Sequence, residues 1–210
     1  QVHKGPWDFG LSYRSKIEHE LEGDVTVAGL LGPLAGANVS TGGKASFNTP
    51  WFASASVRYA VNDKLTLNAQ VNRIGWSEFD AITVEYTGGG DVIHQNYKDV
   101  TTGAIGLDYA LSDKTTLRAG VGYDPTPTRD SLRTARIPDA DRWLFSVGGS
   151  TEVTEGVTFD AGLTYIAFSD STIHDDRTFY AGTPAAVTSH LRGEAEGSAL
   201  VASIGARWAF

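Results

Sequence analysis

The last thirteen residues, SALVASIGARWAF from Ser198 to Phe210, alternate in polarity up to the end of the chain. Leu200, Ala202, Ile204, Ala206, Trp208 and Phe210 share one parity, and Ala199, Val201, Ser203, Gly205, Arg207 and Ala209 share the other. Side chains on a strand point to opposite faces with a period of two, so this segment predicts a strand with one apolar face. The other face carries small residues and one cation. Terminal residues of a soluble domain usually fray; here the terminus reads as a structural element. The same alternation recurs in WDFGLSYR (7–14), FASASVRYAV (52–61), KLTLNAQVN (64–72), TGAIGLDYAL (102–111), TTLRAGVGY (115–123), RWLFSVGGS (142–150) and VTFDAGLTYIAF (157–168). Together these predict eight strands, each with one clear apolar parity.

The connections alternate between two kinds. Short turns fall at 61–64, 111–114 and 153–156, whereas long connections run through 25–45, about 87–95, 125–140 and 169–192. The long ones are rich in Gly, Pro, Asp and Thr, the residues of loops. Short turns on one side and long loops on the other describe an outer-membrane β-barrel, with turns towards the periplasm and loops outside. Trp7, Tyr59, Tyr109, Tyr123, Tyr165 and Trp208 lie near strand ends, where an interfacial aromatic girdle belongs. A soluble β-sandwich or lipocalin-like barrel also alternates. Its solvated face would carry many Lys and Glu, however, while the polar parity here is mostly Gly, Ser and Ala with isolated charges.

Composition removes other classes. With 210 residues the chain is long enough for one large domain, and residues 1–210 are expected to form one. There is no cysteine, so thiolate metal sites, disulfides and cysteine nucleophiles are excluded. A net charge of −8 without a dense Lys/Arg run argues against a nucleic-acid partner. Five histidines are scattered, and HDD at 174–176 reads as an acidic loop rather than a metal site or part of a triad. GGG at 88–90 lacks the lysine and helix of a phosphate loop. Nothing asks for an enzyme, a metal or a cofactor. The first residue is Gln1, from which a mature or truncated product is expected.

The polar parity holds Arg14, Arg58, Lys98, Arg118, Arg142 and Arg207 together with Asp8, Asp108, Glu152 and Asp160. Two readings stand side by side. The charges form an internal salt-bridge ladder, or a cation among them meets a ligand carboxylate. Lys98 and Arg58 are the candidates for the second. Trp76 and Phe79 of GWSEF either line an acyl-chain pocket or belong to the aromatic belt.

Several stretches resemble the FadL/TodX family of outer-membrane transporters for long-chain fatty acids and other hydrophobic compounds. They are YRSKIEHELEGD (13–24), GWSEFD (75–80), and NYKDVTTGAIGLDYALSDKTTLRAGVGYDPTPT with RIPDADRWLFSVG between Asn96 and Gly148. The resemblance implies a fourteen-stranded barrel of which this chain looks like the C-terminal half, without the N-terminal hatch and the first strands. It implies a Gram-negative outer membrane, contact with membrane lipid and lipopolysaccharide, and insertion by the barrel-assembly machinery through Trp208 and Phe210. It also implies a passive function, with a long-chain fatty acid or other hydrophobic ligand held by its head group at Lys98, the match to the family's head-group lysine. The alternative is a small structural barrel of eight strands without transport. Eight strands with both ends on one side can close, so the strand from Trp7 is expected to pair with the one ending at Phe210; otherwise both edges join a larger barrel or a second copy. The inward glycines, Gly106, Gly120 and Gly148 among them, suit a wide lumen better than one filled by side chains.

If the terminal aromatic is the recognition element, deleting Phe210 lowers the amount of chain assembled in the outer membrane of expressing cells. Heat-modifiable migration of outer-membrane fractions on gels measures this. Unchanged assembly would show the residue to be incidental.

Overall fold

The structure, a computed structural model, describes residues 2–209. The chain forms β1 (Val2–Lys4), β2 (Trp7–Arg14), β3 (Ile17–Val27), β4 (Val39–Thr49), β5 (Trp51–Ala60), β6 (Leu65–Gly75), β7 (Ala81–Tyr86) and β8 (Gly89–His94). It continues through β9 (Val100–Ser112), β10 (Thr115–Asp124), β11 (Arg142–Thr154), β12 (Val157–Phe168), β13 (Ser171–Phe179), β14 (Val187–Ala195) and β15 (Ser198–Trp208). Nine of them make one antiparallel sheet in the order β1-β2-β5-β6-β9-β10-β11-β12-β15. The eight segments expected from alternation are all in it, as β2, β5, β6, β9, β10, β11, β12 and β15.

Two expectations are corrected. There are fifteen strands rather than eight: three of the four expected long loops contain hairpins, β3–β4, β7–β8 and β13–β14, which add six, and the short β1 adds one. β3, IEHELEGDVTV, also alternates, with Ile17, Leu21, Val25 and Val27 on one parity and Glu18, Glu20, Glu22 and Asp24 on the other. Period alone therefore does not separate the hairpins from the nine-stranded sheet; they form two further sheets of their own. The second correction concerns closure. The sheet is open: β15 pairs only with β12. On the far side, the edge of β2 that closure would need is already taken by β1, through Val2–Phe9 and Lys4–Trp7. The expected contact of Phe210 itself lies outside the described residues.

The apolar parity faces outward along the whole sheet. Leu11 is 83% exposed, Ile105 63% and Ile204 93%. Among the described residues only Val100, Ala140 and Ile173 are buried hydrophobics, and all three lie at the long-loop end. The sheet has no apolar interior, so its hydrophobic surface needs lipid. No helix is long and apolar enough to cross a membrane; the strands do it. Trp7 meets Tyr59 at 4.2 Å, tilted by 31°, at the short-turn end, and Tyr123 meets Trp143 at 4.9 Å at the other. On β2 the two aromatic levels, Trp7 and Tyr13, are six residues or roughly 20 Å apart along the strand.

The short turns follow local chemistry. The Asn62 side-chain oxygen accepts the N–H groups of Lys64 and Leu65, both at 2.9 Å, and so closes the β5–β6 turn. The inward glycines answer to crowding between strands rather than to lumen width alone. A Cβ on Gly148 would sit 2.8 Å from the Ala161 carbonyl oxygen, and one on Gly106 3.0 Å from that of Ala119. Glycine there lets the sheet curve. Gly148→Ala is therefore expected to destabilise the refolded protein by about 1–3 kcal/mol, the usual penalty for overpacking. Gly122→Ala, whose Cβ would meet its nearest atom at 3.5 Å, should be close to neutral. Urea titrations in detergent or lipid compare them, and equal effects would rule out the crowding explanation.

Candidate functional site

Three sequence motifs meet at the long-loop end of β9, β10 and β11. The connection 125–141 is the one long loop without a hairpin, and side chains hold it. Asp141 accepts the Tyr123 hydroxyl at 2.6 Å and the Thr126 N–H at 2.8 Å, while Thr126 donates its own hydroxyl to Asp139 at 2.6 Å. Arg142 donates to Asp124 at 2.7–2.8 Å and to Asp139 at 3.3 Å. Arg133, 3% exposed, donates to the carbonyls of Asp139 and Thr172 and pairs with Asp130 at 3.0 Å, tying the loop to β13. Thus YDPT and IPDADR are the two halves of one clasp. The third motif joins through its backbone: the Lys98 N–H donates to the Pro127 carbonyl at 2.9 Å.

The next residue, Asp99, links to a fourth stretch. It accepts the Ser77 N–H at 2.9 Å, within the 3-10 turn Trp76–Glu78, and that bond holds its carboxyl below the ordinary 3.8. The turn follows Gly75, against which the Trp51 indole lies so closely that no Cβ would fit. Trp76 and Phe79 then both meet Tyr97, at 5.9 and 5.7 Å. Phe79 also meets Phe47 at 6.0 Å, and Phe47 stacks on His19 at 4.8 Å. The result is an aromatic row across β3, β4, the turn and the approach to β9. Burial, and then the Asp139 carboxylate, push the Tyr97 phenol up.

Lys98 leaves the chain beside this row. It lines a polar cavity of about 390 Å³ with Thr126, Arg133, Asp141, Ser171 and Glu194. Among the described residues no carboxylate lies within 4 Å of its ammonium group. The Ser171 hydroxyl, in the wall of the same cavity, is buried and has no hydrogen-bond partner. The structure therefore places Lys98 next to Trp76 and Phe79 through Tyr97, but on a separate cavity. It does not bring Arg58 to them. Arg58 pairs with Asn68, six residues below Ile74, and Ile74 pairs with Val100, so Arg58 lies roughly 25 Å from Lys98 along the strands.

Lower down, the polar parity forms a cross-strand belt. Asn68 donates to Asp108 at 3.0 Å, and Asp108 pairs with Arg118 at 3.2 Å. Arg118 donates to Ser150, Ser150 to Asp160 at 2.5 Å, and Arg207 closes on Asp160 at 3.1 Å. At the other side of the sheet His3 bonds Asp8 at 2.5 Å. Most inward charges are thus a ladder.

The family model "Outer membrane protein transport protein (OMPP1/FadL/TodX)" matches residues 6–210. The chain belongs to the OMPP1/FadL/TodX family. It is 30% identical over 199 residues to outer membrane protein P1 of Haemophilus influenzae, covering 90% of this chain and 42% of that protein. It is 26% identical over 168 residues to the long-chain fatty acid transport protein of Escherichia coli K12, covering 75% and 38%. A crystal structure of a Pseudomonas aeruginosa FadL homologue superposes with a TM-score of 0.84 at 26% identity, over 98% of this chain and 50% of that one. The Pseudomonas putida toluene transporter TodX, 15% identical with a TM-score of 0.59, shares the fold over 98% and 46%. The chain is an outer-membrane protein of this family and spans less than half the length of the relatives it matches in sequence.

Within the FadL-type sheet, the clasp residues Asp139 and Asp141, with Tyr123 and Thr126, escaped the sequence reading as site residues. Their signal was present in the two aspartates of IPDADR. They fold the loop whose Pro127 carbonyl receives the Lys98 N–H. Burial raises the Asp141 carboxyl, but the bonds from Tyr123 and Thr126 and the nearby Lys98 and Arg133 charges outweigh it and leave it below 3.8. A lowered folded value means the stabilisation is present above the ordinary value and lost as pH falls through the lowered one. Protease protection of the loop 125–141 should therefore persist from neutral pH to about 4 and fail below it. Asp141→Asn should lose part of that protection at neutral pH, about 1–3 kcal/mol for a buried bond partner removed. Unchanged cleavage in the variant would dismiss the clasp.

Proposed function

We propose that this chain forms one wall of a passive outer-membrane conduit for hydrophobic compounds with an anionic head, long-chain fatty acids being the type. The observation that carries the reading is Lys98: a cation with no carboxylate within 4 Å, in a polar cavity at the mouth of a transmembrane sheet, next in the chain to Tyr97 of the aromatic row. A fatty acid needs both surfaces. Each methylene moved from water onto apolar surface gains about 0.8 kcal/mol, and the head group gains a charge-assisted hydrogen bond from the ammonium. Trp76, Phe79 and Tyr97 are assigned to the acyl chain and Lys98 to the carboxylate. The names of two relatives, one a long-chain fatty acid transport protein and one a toluene transporter, are consistent with an apolar cargo.

The open sheet supports a wall rather than a whole barrel. Each unpaired backbone group in lipid costs several kcal/mol, so the free edges of β1 and β15 require further strands. Transport is passive in this reading, because the described residues offer only binding surfaces arranged along the strands.

Lys98→Ala should weaken decanoate binding about ten- to a hundred-fold, the loss of a bond worth ~1.5–3 kcal/mol, while leaving 1-decanol nearly unchanged. Calorimetric titration of the detergent-solubilised protein distinguishes the two ligands. An equal loss for both makes Lys98 structural.

A further inference from the structure

The lipid-facing parity of the nine-stranded sheet is almost free of charge. Among the described residues it holds two charged side chains, Lys4 opposite Trp7 at the short-turn end and Arg73 at the long-loop end, and no acid. Arg73 shares the parity of Leu65, Leu67, Ala69 and Val71, and its cross-strand row reads Tyr13, Ala53, Arg73, Thr101. Aromatic rings bracket it. Tyr13 meets Trp51 at 6.4 Å on one side, and the Tyr123–Trp143 pair stands on the other, one row lower. A cation facing hydrocarbon is costly at the membrane midplane and tolerated only near head-group level. Arg73 stands at that level, in the outer leaflet.

Its own contacts leave donors over. Nη1 donates to the Thr101 hydroxyl at 2.9 Å, while Nη2 is 3.7 Å from the Asp99 carboxylate, beyond hydrogen-bond length. Asp99 is committed to the Ser77 N–H. The Arg73 side chain is 48% exposed. Below it the wall is short of side-chain bulk. In the next row Ala55 and Gly103 flank Val71, and Ala69 follows Val71 down the strand. An apolar trough of about 650 Å³ opens there and reaches from Leu11 on β2 to Trp143 on β11. Five strand spacings separate those residues, roughly 24 Å, which is wide enough to seat several acyl chains side by side. A Cβ on Gly103 would have its nearest neighbour at 3.9 Å, so strand packing does not require the gap.

We propose that Arg73 and the trough beneath it bind a phosphorylated, multi-chain lipid of the outer leaflet, of the lipid A type. A head-group phosphate sits on the guanidinium, whose free N–H groups match it in a planar fork. The acyl chains lie in the trough. They gain little hydrophobic energy there, because lipid is as apolar as the wall, and fit against the small residues holds them instead. A two-chain phospholipid would cover only part of the width. The site is on the opposite face of the sheet from the inward charges, so it stands independently of the conduit reading.

Native mass spectrometry of the detergent-folded full chain compares retention of bisphosphorylated lipid A, the same lipid without its phosphates, and phosphatidylglycerol, with heat-modifiable migration confirming folding. Lipid A should bind about ten-fold more tightly than its dephosphorylated form, from one charged hydrogen bond. Arg73→Gln should abolish that difference, and Arg73→Lys should keep part of it. Gly103→Leu, which fills the trough, should weaken both forms by a similar factor and leave the difference between them. A phosphate preference that survives Arg73→Gln would overturn the site, and if that variant also lost thermal stability Arg73 would be the partner of Asp99. Gly103→Leu without effect would overturn the trough. Phosphatidylglycerol held as tightly as lipid A would overturn the multi-chain occupant, and release of lipid A by an equal concentration of inorganic phosphate would make this a site for the free anion.

Discussion

The structure depends on one inversion: its hydrophobic surface is on the outside. In water, about 25 cal/mol per Å² of exposed apolar area would drive such a sheet to fold onto itself or onto another copy. Here every strand keeps Leu, Val, Ile and aromatic residues on one parity facing out, and almost nothing apolar is packed within. The hydrocarbon of the membrane takes the place of the core. In that solvent a backbone N–H or C=O without a partner is intolerable, which is why the strands pair in an uninterrupted ladder from β1 to β15.

Burying polar groups inside such a wall imposes a second rule. Each inward charge must find a partner within the sheet, because no bulk solvent of full dielectric surrounds it. The belt from Asn68 through Asp108, Arg118, Ser150 and Asp160 to Arg207 obeys it strand by strand, with each acid between two donors. Beyond the membrane the rule relaxes. The strand pattern breaks at Pro50 and at the turn Trp76–Glu78, and the chain continues in hairpins that form sheets of their own.

This division explains what the sequence disclosed. The eight membrane segments were legible because lipid on one face and a polar interior on the other enforce alternation without exception. The hairpins β3–β4, β7–β8 and β13–β14 were not, although β3 alternates too, with Glu18, Glu20 and Glu22 against Ile17, Leu21 and Val25: they lie in stretches whose Gly, Pro, Asp and Thr content reads as loop. Closure was misjudged for a related reason: Val2 to Lys4 is too short to show alternation, yet it occupies the edge that β15 would have needed. Lys98, Trp76 and Phe79 could be named from their motifs. Their relation to Tyr97 and to the clasp could not, because those contacts join residues far apart in sequence through side-chain geometry. Arg58 was legible as an inward cation but not as one separated from the mouth; that distance follows only from register.

The same pairing rule accounts for why cations, and not acids, are left over at particular points. At the mouth four aspartates are engaged: Asp99 accepts from the Ser77 backbone, Asp141 from Tyr123 and Thr126, Asp139 from Thr126 and Arg142, and Asp124 from Arg142. Each of these bonds serves to fold the loop 125–141 or the turn at Trp76. None of the four is within ion-pair distance of Lys98, although Lys98 and Asp141 still feel each other's charge. On β2 the logic repeats with one pair: His3 engages Asp8, and Arg58 across the ladder is left without a carboxylate within 4 Å. Local structure thus commits particular acids to folding the loops and leaves particular cations without a direct ion pair.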